Sequence, residues 1–126
     1  MKFLLLICAE QVMEQMDATD AAQHYEDYRE FTESIHESGH LVGCNRLVPP
    51  AEAITVRVRQ GRVSTTDGPF AETKEQFGGY YLIEARDQKE AIEIAARIPG
   101  AARGCVEVRP IADDQQTRDA LAAAAA

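Results

Sequence analysis

The chain has 126 residues, 45% hydrophobic and 27% charged, the size and balance of one ordinary globular domain with a core of its own. A formal net charge of -8 with a pI near 4.8 sets the overall field against a phosphate backbone, and no polybasic patch points to a membrane surface. Nucleic acid and membrane are therefore excluded as expected partners.

Along the chain, Met1-Lys2 and the apolar run Phe3 to Ala9 sit at the lower length limit of a signal peptide. The run passes directly to Glu10 without a small-residue cleavage site, so it reads as a first strand. Phe3 to Cys8 is continuously apolar, which requires cover on both faces and places the strand centrally. No other run is long enough to span a bilayer.

A polar linker, Glu10 to Ala18, precedes a helix that Asp17, Thr19 or Asp20 can cap. Ala21, Tyr25, Tyr28, Phe31 and Ile35 form its core stripe and Gly39 ends it. Leu41 to Val48 reads as a strand stopped by Pro49-Pro50. Ile54, Val56 and Val58 alternate with Thr55, Arg57 and Arg59 as in a half-buried strand. The pattern resumes at Val63 after Gln60-Gly61, which predicts a hairpin with Arg59 opposite Arg62.

The connection from Asp67 to Gly79 gathers an acid, a Gly-Pro turn, Phe70, Glu72, Lys74 and a glycine pair. Tyr80 to Ile83 is a second strand apolar on both faces, so one of Tyr80 and Tyr81 meets the helices and the other the far side. Asp87 and Glu90 have capping-box spacing ahead of the stripe Ala91, Ile94, Ala95 and Ile98, which Pro99-Gly100 stops. Cys105 to Arg109 alternates and runs into Pro110, as suits an edge strand. From Asp113 the chain is polar, ends in five alanines, and reads as a frayed tail.

Cys8, Cys44 and Cys105 lack Cys-x-x-Cys spacing and each falls in a strand segment. They read as small buried core residues of a protein kept in a reducing compartment, the cytoplasm. The element order, β-α-β, hairpin, β-α-β, suggests a split βαβ arrangement over residues 1–111, with 112–126 as a flexible C-terminal tail. In that topology two helices cover one face only, although both central strands are apolar on both. A second copy of the chain is the economical cover, so a homodimer is expected.

Thr66-Asp67-Gly68-Pro69-Phe70-Ala71-Glu72-Thr73-Lys74-Glu75-Gln76, followed by Gly78-Gly79-Tyr80-Tyr81-Leu82-Ile83 and later by Val106-Glu107-Val108-Arg109-Pro110, closely resembles the DGPF branch of the YCII-related (YciI-like) bacterial proteins. Arg57 to Val63 and Ile98-Pro99 fit as well, and the resemblance runs to about Ile111. It implies a ferredoxin-like α+β fold, βαββαβ with an inserted hairpin, whose sheets pair as a dimeric α/β barrel. The family's reaction is not implied, and its genes' frequent position beside extracytoplasmic-function sigma-factor genes hints at regulation. Shorter members carry a His eleven residues before the helix-ending Gly, where Tyr28 stands here, and an Asp-Pro where this chain has Ile98-Pro99. A His-centred mechanism is therefore not transferred by position, and His24 lies one helical turn away.

The candidate catalytic residue is Asp67, lifted off the sheet end by Gly68-Pro69 and walled by Phe70, as a general base toward a small acidic carbon or a water. Glu72 is its candidate acid partner. Arg57 and Lys74 are candidate holders of an anionic substrate, and Tyr80 or Tyr81 supplies a phenol between sheets. The plainer alternative makes Asp67 and Thr66 turn residues and Phe70 a core plug. His36-Glu37-Ser38-Gly39-His40 spells H-E-x-x-H, but Gly39 turns His40 off the helix and no later His exists, so no metal is expected. The expected function is a cofactor-independent small-molecule enzyme of lyase, isomerase or hydrolase type with its pocket near a dimer interface. The alternative is a non-catalytic ligand- or partner-binding dimer linked to extracytoplasmic-function sigma-factor regulation.

Overall fold

The first apolar run is a central strand, β1 (Lys2–Ala9), in a computed structural model that describes residues 1–9, 16–69 and 76–125. After it come α1 (Ala18–Glu37), β2 (Leu41–Arg46), a hairpin of β3 (Ile54–Arg59) and β4 (Arg62–Asp67), β5 (Gln76–Glu84), α2 (Gln88–Ala96), β6 (Cys105–Pro110) and α3 (Gln115–Ala125). Short 3-10 turns occupy Pro50–Glu52 and Pro99–Ala102. The main sheet is antiparallel with order β2-β5-β1-β6, so the two strands that are apolar on both faces do lie in the middle. This is the ferredoxin-like α+β arrangement, with the hairpin as a separate two-stranded sheet.

Period-two alternation divides the central strands. Phe3 and Leu5 of β1 and Tyr81 and Ile83 of β5 face the helices and are buried with Phe31 and Ile35 of α1 and Ala91, Ile94, Ala95 and Ile98 at and after α2. Leu4, Leu6, Tyr80 and Leu82 fall on the other face, registered opposite one another and only half-buried. Local chemistry sets the helix ends. The Asp17 carboxylate accepts the Asp20 N–H at 2.8 Å, and Gly39 takes φ +81 so that His40 N–H reaches the Ile35 carbonyl at 2.9 Å.

Several expectations are corrected by position. Tyr25 is half-exposed instead of core, its ring under the Arg46 guanidinium at 5.4 Å with its hydroxyl bonded to it, because an amphipathic phenol covers the β2 edge and keeps its polar end wet. None of the three cysteines is buried: Cys44 packs at the core margin, while Cys8 and Cys105 fall on the helix-free face. The hairpin forms with Arg59 opposite Arg62 and a left-handed turn at Gln60 (φ 52) and Gly61 (φ 72). Its stripe of Ile54, Val56, Val58 and Val63 is, however, 56–69% exposed instead of half-buried, since the hairpin pairs only with itself. At the far end the alanine-rich run forms α3, as its high helix propensity favours, and no α3 side chain is buried.

Candidate functional site

Among the described residues, the side chains singled out from the sequence point to different faces of the chain. Register places Asp67 opposite Ile54 and Arg57 opposite Ser64, so Asp67 leaves the exposed apolar face of the hairpin and Arg57 the other. Tyr80 lies on the helix-free face, where Asn45 Nδ2 donates to its hydroxyl at 2.8 Å. Tyr81 turns into the helix side. Thr32 Oγ1 donates to the Tyr28 carbonyl at 2.7 Å, so the Tyr81 hydroxyl is the donor in its own 2.7 Å bond to Thr32. Burial pushes the Tyr81 phenol pKa up, and its ring stands edge-on to Phe31 at 5.1 Å. Tyr81 is thus a core strut. Glu72, Lys74 and the Phe70 wall lie outside the described residues.

The glycine pair before Tyr80 has a structural use. A Cβ on Gly79 would lie 2.9 Å from the Asn45 carbonyl oxygen, so β2 approaches β5 only over a bare backbone.

A groove of ≈ 570 Å³ opens elsewhere, between α1 and the 3-10 turn after α2. It is lined by His24, Asp27, Phe31, Arg97, Pro99 and Arg103, among others. Beside it α1 and the turn after α2 are joined by a direct contact. Tyr28 and the segment Ile98-Pro99-Gly100 meet here, with Gly100 N–H donating to the Tyr28 hydroxyl at 3.0 Å and Ile98 buried below. Burial pushes the Tyr28 pKa up to about 12, against the pull of the Gly100 amide, so the phenol stays protonated. A Cβ on Gly100 would stand 2.5 Å from the Tyr28 hydroxyl and 3.0 Å from Ile7 Cγ2, which explains a glycine at this contact.

His24 stands edge-on to Tyr28 at 4.9 Å. Its pKa is lowered from the usual imidazole value, first by burial and then by the Arg103 charge, with Asp27 pulling the other way. The imidazole is therefore largely neutral at pH 7 and able to accept a proton. Arg97 lies over the Phe31 ring at 5.6 Å and donates to Ser34 Oγ at 2.6 Å, so one guanidinium is pinned in the wall. Sequence reasoning passed over this groove. The signal it held was a His one turn before Tyr28 together with arginines flanking the Pro99-Gly100 stop.

The H-E-x-x-H stretch forms a different cluster. Ser38 Oγ lies 2.7 Å from His40 Nδ1, and His40 Nε2 lies 3.1 Å from Glu90 Oε1. Glu90 is held below the usual carboxylate range, first by the Arg86 N–H at 3.0 Å and then by His40 and the Arg86 charge. The order Ser-His-Glu resembles a nucleophile relay. Yet the N–H groups of Ser38, Gly39 and His40 are spent on the carbonyls of Ser34, His36 and Ile35, and none of the three is left for an oxyanion. The cluster is a clasp from the start of β2 to α2. Among the described residues, no three His, Cys, Asp or Glu side chains gather as metal ligands would.

Comparison with known proteins agrees with this fold. An uncharacterized protein of Rhizobium meliloti (strain 1021) is 45% identical over 78 residues, 60% of this chain and 63% of that protein, so the match spans less than two-thirds of the relative. Among solved structures, 5-chloro-2-hydroxyhydroquinone dehydrochlorinase from Burkholderia phenoliruptrix AC1100, in complex with 2,5-dihydroxybenzoquinone, has a TM-score of 0.54 at 13% identity. The likeness covers 92% of this chain and 98% of that one and is a likeness of fold. No described helix is long and apolar enough to cross a membrane. The family model of the YCII-related domain matches residues 1–115, through the whole sheet, both packed helices and the hairpin, and the chain belongs to that family.

Proposed function

We propose that this chain is a small-molecule enzyme of lyase, isomerase or hydrolase type, working without a cofactor, with the α1 groove as its site. The observation that supports this reading is His24 and Arg103 in one groove, the imidazole kept neutral in part by the arginine's charge. An anionic substrate pairs with Arg103 and His24 removes a proton from an acidic carbon or from water. The electron pair released toward a carbonyl oxygen is then met by the guanidinium. Asp27, whose charge favours the protonated imidazole, steadies His24 once the proton has moved. Tyr28 acts as a positioning residue through the Gly100 amide. A dihydroxybenzoquinone, the ligand of the fold neighbour, is a small ring with acidic hydroxyls and gives the size class that suits this groove.

The competing location is a pocket near a dimer interface with Asp67 as base. Solvent deuterium exchange into a panel of small carbonyl acids, phenols and quinols, followed by NMR, separates the two. With the groove as site, His24→Gln lowers exchange by about 100-fold. Arg103→Ala weakens binding and moves the low-pH limb of the rate upward, because the charge that lowers the His24 pKa is gone. Loss of exchange in Asp67→Asn with His24→Gln unaffected places the chemistry on the hairpin. Ligand binding with no exchange for any compound overturns the enzyme reading in favour of a binding module.

A further inference from the structure

The last registered pair of the β1–β6 ladder is Cys8 opposite Cys105. The third cysteine, Cys44, is registered against Tyr81 in the β2–β5 ladder and packs at the core on the other face. We infer that Cys8 and Cys105 are a redox-modification site: the two thiols close to a reversible intramolecular disulfide in exchange with a low-molecular-weight disulfide. This does not rest on the groove.

The geometry carries the inference. Ile111 N–H donates to the Lys2 carbonyl at 2.9 Å, which makes every second pair along this ladder, Cys8–Cys105 included, a hydrogen-bonded pair. Such pairs hold their Cα atoms about 5.5 Å apart, inside the roughly 4.4–6.8 Å range of disulfides. Directly opposite Cβ atoms lie about 4.5–5.5 Å apart, at the wide end in a hydrogen-bonded pair, while a disulfide needs about 3.5–4.5 Å, so the strands must close by about 1–2 Å. They can do so at this point. Cys105 opens β6 directly after Gly104, and the β1–β5 ladder shifts register between Ile7 and Cys8. A bond formed under strain at an exposed ladder end is easily reduced, which makes it a switch instead of a permanent staple. Both residues are thiols, with Cys105 exposed and Cys8 half-buried, so the attacking sulfur is Cys105.

The exchange balances in two steps. The Cys105 thiolate attacks glutathione disulfide, forming a mixed disulfide and expelling one glutathione thiolate. The Cys8 thiolate then attacks the Cys105 sulfur and expels the second. Two protein thiols have become one disulfide, glutathione disulfide has been reduced to two glutathione molecules, and the two protons end on those thiols.

The full chain is equilibrated across ratios of reduced to oxidised glutathione, acid-quenched, alkylated under denaturing conditions and digested for peptide mass spectrometry. The expected result is a peptide linking Cys8 to Cys105, a single alkylated cysteine at Cys44 and full reversal by dithiothreitol. In Cys8→Ser the reaction stops at a glutathione adduct on Cys105, and Cys44→Ser leaves it unchanged. Three alkylated cysteines at every ratio, a persistent glutathione adduct in the wild type, or a Cys105–Cys105 link between chains on a non-reducing gel would each overturn the inference.

Discussion

Replacing Tyr28 by Phe removes one oxygen and tests the junction that shapes the groove. That oxygen accepts the N–H of Gly100, a buried residue, at 3.0 Å. Leaving the amide without its acceptor costs about 1–3 kcal/mol. In a domain of this length, roughly 3–5 °C of melting temperature accompanies each kcal/mol, so a fall of about 3–15 °C is expected at pH 7. The phenol also has an alkaline signature. Its folded pKa is pushed up to about 12, mainly by burial, against an unfolded value of 10.0. Below pH 10 both states keep the proton and the contribution is fully present. Above it the unfolded state ionises first, and stability drains away as pH rises toward the folded value. After discounting for partial exposure, this loss is about 1–2 kcal/mol. Tyr28→Phe lacks it, so the wild type and the variant converge in urea titrations run from pH 7 to 11.5 and followed by circular dichroism. A second substitution checks the contact itself. Gly100→Ala costs less in the Tyr28→Phe background, because the 2.5 Å clash with the hydroxyl is gone and only the Ile7 contact at 3.0 Å remains. Equal stability of Tyr28→Phe and wild type at pH 7, within about 0.3 kcal/mol, with the same alkaline limb, would refute this account.

Glu90→Gln flattens the acid limb of stability. Its folded carboxylate titrates below the ordinary value, so its contribution is present above pH 4.5 and lost as pH falls through the folded pKa. Identical acid unfolding curves for the two proteins would show that the clasp to Arg86 and His40 is idle. In sedimentation equilibrium at micromolar concentration we expect twice the 13.9 kDa chain mass, with Leu82→Glu on the helix-free face giving the single chain. A monomeric wild type would mean that Leu4, Leu6 and Leu82 tolerate water without a second sheet.

The fold was legible because its signals are local or periodic. Continuous apolarity at Phe3 to Cys8 and Tyr80 to Ile83 identified the central strands, Asp17 and Gly39 marked the ends of α1, and Pro110 marked the edge strand. What alternation does not encode is which of two faces meets the chain's own body. The valines of β3 alternate as a half-buried strand should, and yet they face outward. The same ambiguity hid the sides taken by Tyr80 and Tyr81 until the sheet order was known. The groove was less legible still. It forms where Tyr28 and Gly100, 72 positions apart, touch, and its imidazole is tuned by Arg103, far along the chain from His24. No spacing rule brings these residues together; only the packing of α1 over the turn after α2 does.

The hairpin's attachment has a consequence for local unfolding. Its ladder closes at the root, where Gly68 N–H bonds to the Ala53 carbonyl at 2.7 Å, and a two-stranded ribbon alone is marginal in water. Its amides should therefore exchange with deuterium by fluctuations that leave β1 and β5 closed, while the amides of those central strands wait for global opening. A partner that grasps the hairpin raises its local opening free energy according to that partner's concentration and affinity, so added protection at Val56 and Val63 is a direct gauge of whether something does.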